Sequence, residues 1–96
     1  MVEISTGIQR TLALGRVVAT PGALDCLAQD DIRSAIKRHR RGDWGEVNQE
    51  DKQENDFAFS RELRILSAYR SSNGSKFWII TEADRSATTI LLPEEY

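Results

Sequence analysis

In the last third of the chain, apolar and polar positions alternate in three short runs, residues 64–70, 76–82 and 87–92. They are rich in Ile, Leu, Tyr, Phe, Trp and Thr, the residues that suit a half-buried pleated surface. Asn73-Gly74 lies between the first two runs and is the strongest short-range hairpin signal. Residues 83–86 join the second run to the third as a four-residue turn, and Pro93 ends the last run because proline donates no ladder hydrogen bond. The pattern predicts a three-stranded antiparallel meander.

Upstream the period changes. Ile32, Ala35, Ile36 and His39 recur at i, i+3, i+4 and i+7, an amphipathic helical stripe. Asp30 and Asp31 open that helix at the positive end of its dipole, and Gly42 closes it after a basic last turn. Thr20-Pro21 starts a shorter helix over about 21–28, with Thr20 as cap and Pro21 where a missing N–H costs nothing. Asn48 caps a third helix from Gln49 to about Glu62, although Phe57 and Phe59 keep a strand-like spacing of two. Gly15 precedes a β-branched run at 16–19 that predicts a strand. Residues 1–14 fit neither period and are expected to be a flexible arm or an edge strand. The expected fold is α+β, with two to three helices on the C-terminal meander and an additional N-terminal strand. A single domain spans 15–96.

A two-residue Asn73-Gly74 turn sets the register. It would place Tyr69 opposite Trp78, Ala68 opposite Ile79 and Leu66 opposite Thr81, and opposed residues share a face. Across the second turn Ile79 meets Ile90 and Trp78 meets Leu91. One face then carries Leu66, Ala68, Phe77, Ile79, Ile90 and Leu92 and is the expected core face. The other carries Ile65, Ser67, Tyr69, Trp78, Ile80, Glu82, Thr89 and Leu91. That second face is semi-apolar, and its two aromatics are favoured anchors for a protein partner or a second copy of the chain.

Composition narrows the classes. Ninety-six residues with 40% apolar and 29% charged positions make one ordinary globular domain. A net charge of −2 ranks nucleic acid below protein as a partner, while a local basic patch keeps it in view. Cys26 is the only cysteine, so there is neither an internal disulfide nor a thiolate zinc cage, and a reducing, cytoplasmic setting is expected. No apolar stretch approaches the roughly 18 residues of a membrane span. Phosphate-binding, dinucleotide-binding and nucleophile-elbow motifs are missing, so no cofactor or metal is expected.

The candidate chemistry is thin. His39 is the one side chain with a near-neutral reference pKa, yet it falls on an apolar stripe. Arg33, Lys37, Arg38, Arg40 and Arg41 form a basic cluster that suits either phosphates or a solvated helix face. Glu82, Asp84 and Arg85 gather at the second turn, where Asp84 suits a backbone bond and Arg85 an anion. Trp44, flanked by Asp43 and Gly45, is expected to plug the core.

The strings Gly42-Asp43-Trp44-Gly45, Glu50-Asp51-Lys52, Asn55-Asp56 and Leu66-Ser67-Ala68-Tyr69-Arg70 carry a resemblance. So do residues 78–86, Thr88-Thr89 and the ending at 91–96. Over 15–96 the chain resembles a family of small bacterial proteins of unassigned function, often encoded on plasmids and integrated elements. The resemblance implies a mobile-element setting and no activity. More loosely, helices followed by a meander look like the layout of small ribonuclease toxins of the barnase type. That likeness would nominate His39, Arg41, Glu82, Arg85 and Thr89, with His39 or Glu82 as base and the arginines stabilising charge. The leading expectation is a non-enzymatic accessory protein that binds a protein partner, or itself, through Tyr69, Trp78, Asp84 and Arg85. The ribonuclease and a DNA-binding regulator are its alternatives.

Overall fold

A computed structural model describes residues 11–96, and residues 1–10 of the expected arm lie outside the described residues. Strands β1 (Arg16–Ala19), β2 (Ile65–Arg70), β3 (Lys76–Thr81) and β4 (Ala87–Leu91) form one sheet in the order β1-β4-β3-β2. Between β1 and β2 run helices α1 (Pro21–Cys26), α2 (Gln29–Arg40) and α3 (Gln49–Phe59), and a 3-10 turn covers Pro93–Glu95. The α+β class and the meander hold. The sheet is larger than the meander alone, because β1 lies parallel to β4, with Val17 beside Thr88 and Ala19 beside Ile90.

Local chemistry explains the helix boundaries. The Thr20 hydroxyl accepts from the Ala23 N–H at 3.1 Å, and Pro21 stands where a helix wants a fixed φ. Asn48 caps α3 in the same way, accepting from the Asp51 N–H at 2.7 Å. Helix α2 has Asp30 and Asp31 in its first turn and Lys37, Arg38 and Arg40 in its last, matching its dipole at both ends. Helix α3 stops at Phe59, earlier than expected, and Glu62 takes a left-handed φ of 53°.

The first hairpin corrects the predicted register. β2 pairs with β3 through Tyr69–Phe77, Ala68–Trp78, Ser67–Ile79 and Ile65–Thr81, one residue away from the expected alignment. The loop holds five residues, 71–75. Its Ser72 donates through N–H and hydroxyl to Asp31 at 2.9 and 2.8 Å, and the Asn73 amide donates to the Cys26 carbonyl. These ties to the helices fix a longer turn than Asn73-Gly74 specifies locally. A one-residue shift sends every β2 side chain to the other face. The second hairpin keeps its predicted register, Trp78–Leu91 and Ile79–Ile90.

The core therefore sits on the face of Tyr69, Phe77, Ile79 and Ile90, covered by Ala23 and Leu27 and by Ile32 and Ala35 of α2. A second cluster joins Leu12, Trp44, Ala58 and Ile65 beside it. Of the expected arm, residues 11–14 run into this cluster: Leu12 is buried, and its N–H donates to the Arg40 carbonyl at 2.8 Å.

Candidate functional site

The sheet has two edges, and they are treated differently. An edge strand presents unpaired N–H and C=O groups that template pairing with another chain unless they are covered. At β2 they are covered. The Asn55 amide donates to the Leu66 carbonyl at 2.8 Å and accepts from the Leu66 N–H. Two residues on, the Ala68 N–H donates to the Trp44 carbonyl at 3.1 Å and the Ala68 carbonyl accepts from the Glu46 N–H at 2.7 Å. Gly45 makes this approach feasible: its φ is +74°, and a Cβ there would collide with the Ala68 carbonyl. The Arg70–Glu46 ion pair closes the outside.

At β1 the edge is bare among the described residues. Arg16 and Thr20 direct their N–H groups at the Ser86 and Ile90 carbonyls of the β4 side. Alternation along a strand then directs the N–H and C=O of Val17 and Ala19 outward. Their side chains do not hide them. Val17 is 44% and Val18 39% exposed, one on each face of the sheet, and neighbouring Leu24 is 61% exposed. Val17, Leu24, Ile32, Ile36 and Arg33 line a groove of about 340 Å³ between the strand and α2. Arg33, in its lining, and Arg16, one residue before Val17 on the strand, make no ion pair among the described residues.

The shifted register separates the residues expected to form a binding face. Tyr69 points into the core, and its hydroxyl donates to the Asp43 carbonyl at 2.7 Å; burial pushes its pKa up. Trp78 lies on the opposite face, half-buried, with the Tyr96 ring edge-on at 5.6 Å. Trp44 is in the core as expected, its indole N–H donating to Asp56 at 2.8 Å.

His39 has no exposed surface and stands in a polar chain threaded through the core. Its Nδ1 meets the Ser67 hydroxyl, and its Nε2 lies 2.8 Å from the Thr81 hydroxyl. Thr81 and Thr88 hydroxyls are 2.7 Å apart, and Thr88 donates to the Leu14 carbonyl at 2.8 Å. The protons can be assigned by elimination. Thr88 gives its proton to Leu14, so it accepts from Thr81, and Thr81 accepts from His39 Nε2–H. Nδ1 then accepts from Ser67. Every group in this chain is satisfied with a neutral imidazole. Desolvation, helped by the positive charge of Arg85, lowers the His39 pKa to about 4. The sequence placed this histidine on an apolar stripe, and the structure makes that stripe a wall of the core.

Arg85 occupies a left-handed φ of 61° and spends its guanidinium on carbonyls. One nitrogen donates to Leu63 at 2.7 Å and to Glu82 at 3.1 Å, and the other to Ala58 at 2.8 Å. It thereby caps the end of α3, which is why that helix stops at Phe59. Hydrogen bonds from Ser86, that of its hydroxyl foremost and that of its N–H, lower the Asp84 pKa. Of the nuclease set, His39 is enclosed on the helix-covered face with Thr81 and Thr88, while Thr89 points to the other face. Glu82 and Arg41 are exposed. The fold does not gather these five around one cavity.

The β1 groove was not among the residues singled out by spacing. Val17-Val18 signals a strand in the sequence, but nothing local tells that its partner comes from the other end of the chain and leaves one side bare. No cluster of His, Cys, Asp and Glu able to hold a metal occurs among the described residues, and no helix there is long and apolar enough to cross a membrane. Compared with protein-family models, curated proteins and solved structures, the chain has no significant match.

Proposed function

We propose that this protein is a non-enzymatic interaction module that takes an extended segment of a partner protein as an additional strand beside β1. The contrast between the guarded β2 edge and the β1 edge, bare among the described residues, carries this reading. Strand addition supplies backbone hydrogen bonds for affinity and pockets for alternate side chains for specificity. Here the groove at Val17 and Leu24 suits an apolar side chain, and Arg33 in its lining suits an acidic one. The occupant is accordingly an extended segment alternating apolar and acidic residues. The setting implied by the resemblance, an accessory protein of a bacterial mobile element, is compatible with such a role.

The test is an NMR titration with a synthetic peptide of alternating valine and glutamate, run on the wild type and on Val17→Pro. The substitution removes an outward N–H while leaving the bonds of Arg16 and Thr20 to the β4 side in place. Expected are amide shifts confined to residues 16–20, 24 and 33, lost in Val17→Pro. Shifts elsewhere, or none at millimolar peptide, would overturn the reading. A wild-type dimer that Val17→Pro returns to monomer would replace the foreign segment by a second copy.

A further inference from the structure

The C-terminal end of α2 has a different character from the β1 groove. Lys37, Arg40 and Arg41 lie at i, i+3 and i+4, so they share one side of the helix end. With Thr11 they line a cleft of about 360 Å³. All four side chains are exposed.

Ion pairing elsewhere in the molecule is selective. Arg38, between these residues in sequence, holds Asp43 through two bonds of 2.8 and 3.2 Å. Lys52 pairs with Asp56 and Arg70 with Glu46. Lys37, Arg40 and Arg41 form no ion pair among the described residues, and Arg41 reaches Asp43 only as a longer-range charge. In a chain of net charge −2, three cations converge on one cleft while the acids Glu50, Asp51 and Glu54 stand on α3. The field is therefore positive at the α2 end although the whole molecule is acidic.

We infer that this cleft binds the phosphates of a nucleic-acid duplex backbone. Three cations and one hydroxyl, with no carboxylate in the lining, match the donors that position a protein on phosphodiesters. The neighbouring aromatic rings, His39 and Trp44, are buried in the core. Among the described residues no stacking platform for unpaired bases therefore borders the cleft, which favours a duplex over a single strand. Binding is sequence-independent, and the cleft shares no lining residue with the β1 groove, so each site can fail without the other.

The probe is a fluorescently labelled 20-base-pair duplex, followed by anisotropy between 50 and 200 mM NaCl. About three neutralised phosphates give a slope near −2.7 in log K against log salt, or roughly a 40-fold loss of affinity over that range. Lys37→Gln/Arg40→Gln/Arg41→Gln should abolish binding while keeping the wild-type circular dichroism, since none of the three is buried, with only the small drop in melting temperature that loss of cations at a helix C-terminus brings. Val17→Pro should bind the duplex like wild type. The inference is overturned if the wild type does not bind at 50 mM NaCl, or if the triple variant keeps the slope. It is equally overturned if inorganic phosphate displaces the duplex at far lower ionic strength than chloride does, which would reassign the cleft to a small phosphorylated ligand.

Discussion

The Glu95 carboxylate accepts a hydrogen bond from the Thr20 hydroxyl at 2.5 Å, joining residues 75 positions apart. The same carboxylate accepts from the Leu92 N–H at 2.8 Å and the Gly22 N–H at 3.1 Å, so it ties the last turn to the start of α1. A Cβ at position 22 would push against this carboxylate, the movable end of the Glu95 side chain. These bonds, that of Thr20 foremost, lower the Glu95 pKa. A carboxylate with a depressed folded pKa adds stability above its unfolded pKa and loses it as pH falls through the folded one. Glu95→Gln should therefore melt below the wild type at pH 7, and the gap should close as the pH is lowered through the acidic range.

His39 gives a pH dependence in a different window. Its pKa is about 4 in the fold and near 6.5 when unfolded, so below pH 6.5 the unfolded state binds the extra proton. Stability should be complete above pH 6.5 and fall by about 3 kcal/mol towards pH 4. Urea titrations at pH 7.5 and 4.5 check this. His39→Gln should lose that portion of the slope, and at pH 7.5 should itself cost about 2–4 kcal/mol, because in the core Ser67 loses the acceptor of its proton and Thr81 loses its donor.

Arg85 holds the end of α3 to the second hairpin turn. Arg85→Ala keeps the left-handed backbone and removes the donors, and should destabilise by about 2–3 kcal/mol in chemical denaturation. Arg85→Lys should recover less than half of that. One ammonium cannot span the Leu63 and Ala58 carbonyls as the planar guanidinium does.

Gly45 guards the β2 edge. Gly45→Ala should cost about 1–3 kcal/mol from its left-handed φ and from displacement of the 44–46 segment off Ala68. Freed of that cover, the strand should also associate with itself, which light scattering at raised concentration would detect.

Much of the fold was legible because its signals are local. Thr20 and Asn48 cap the helices they announce, the α2 stripe faces the core, and the four-residue second turn keeps its register. The first hairpin misled because its turn is decided by distant partners. Asp31 and Cys26 hold Ser72 and Asn73, and those bonds override the preference of Asn73-Gly74 for a two-residue turn. The consequence spread along β2, bringing Ser67 to His39 and parting Tyr69 from Trp78. The parallel β1–β4 pairing, and with it the bare edge, rests on residues some 70 positions apart and has no local signature.

The β1–β4 pairing also orders events in time. β1 meets its only described neighbour strand after about 70 further residues, roughly 4–14 s later at ribosomal speeds. The antiparallel hairpins of β2, β3 and β4 close short loops and can assemble as they emerge. β1 and its two valines must wait. Made before the three strands it joins, β1 is therefore the last of the four to be sheltered in the sheet.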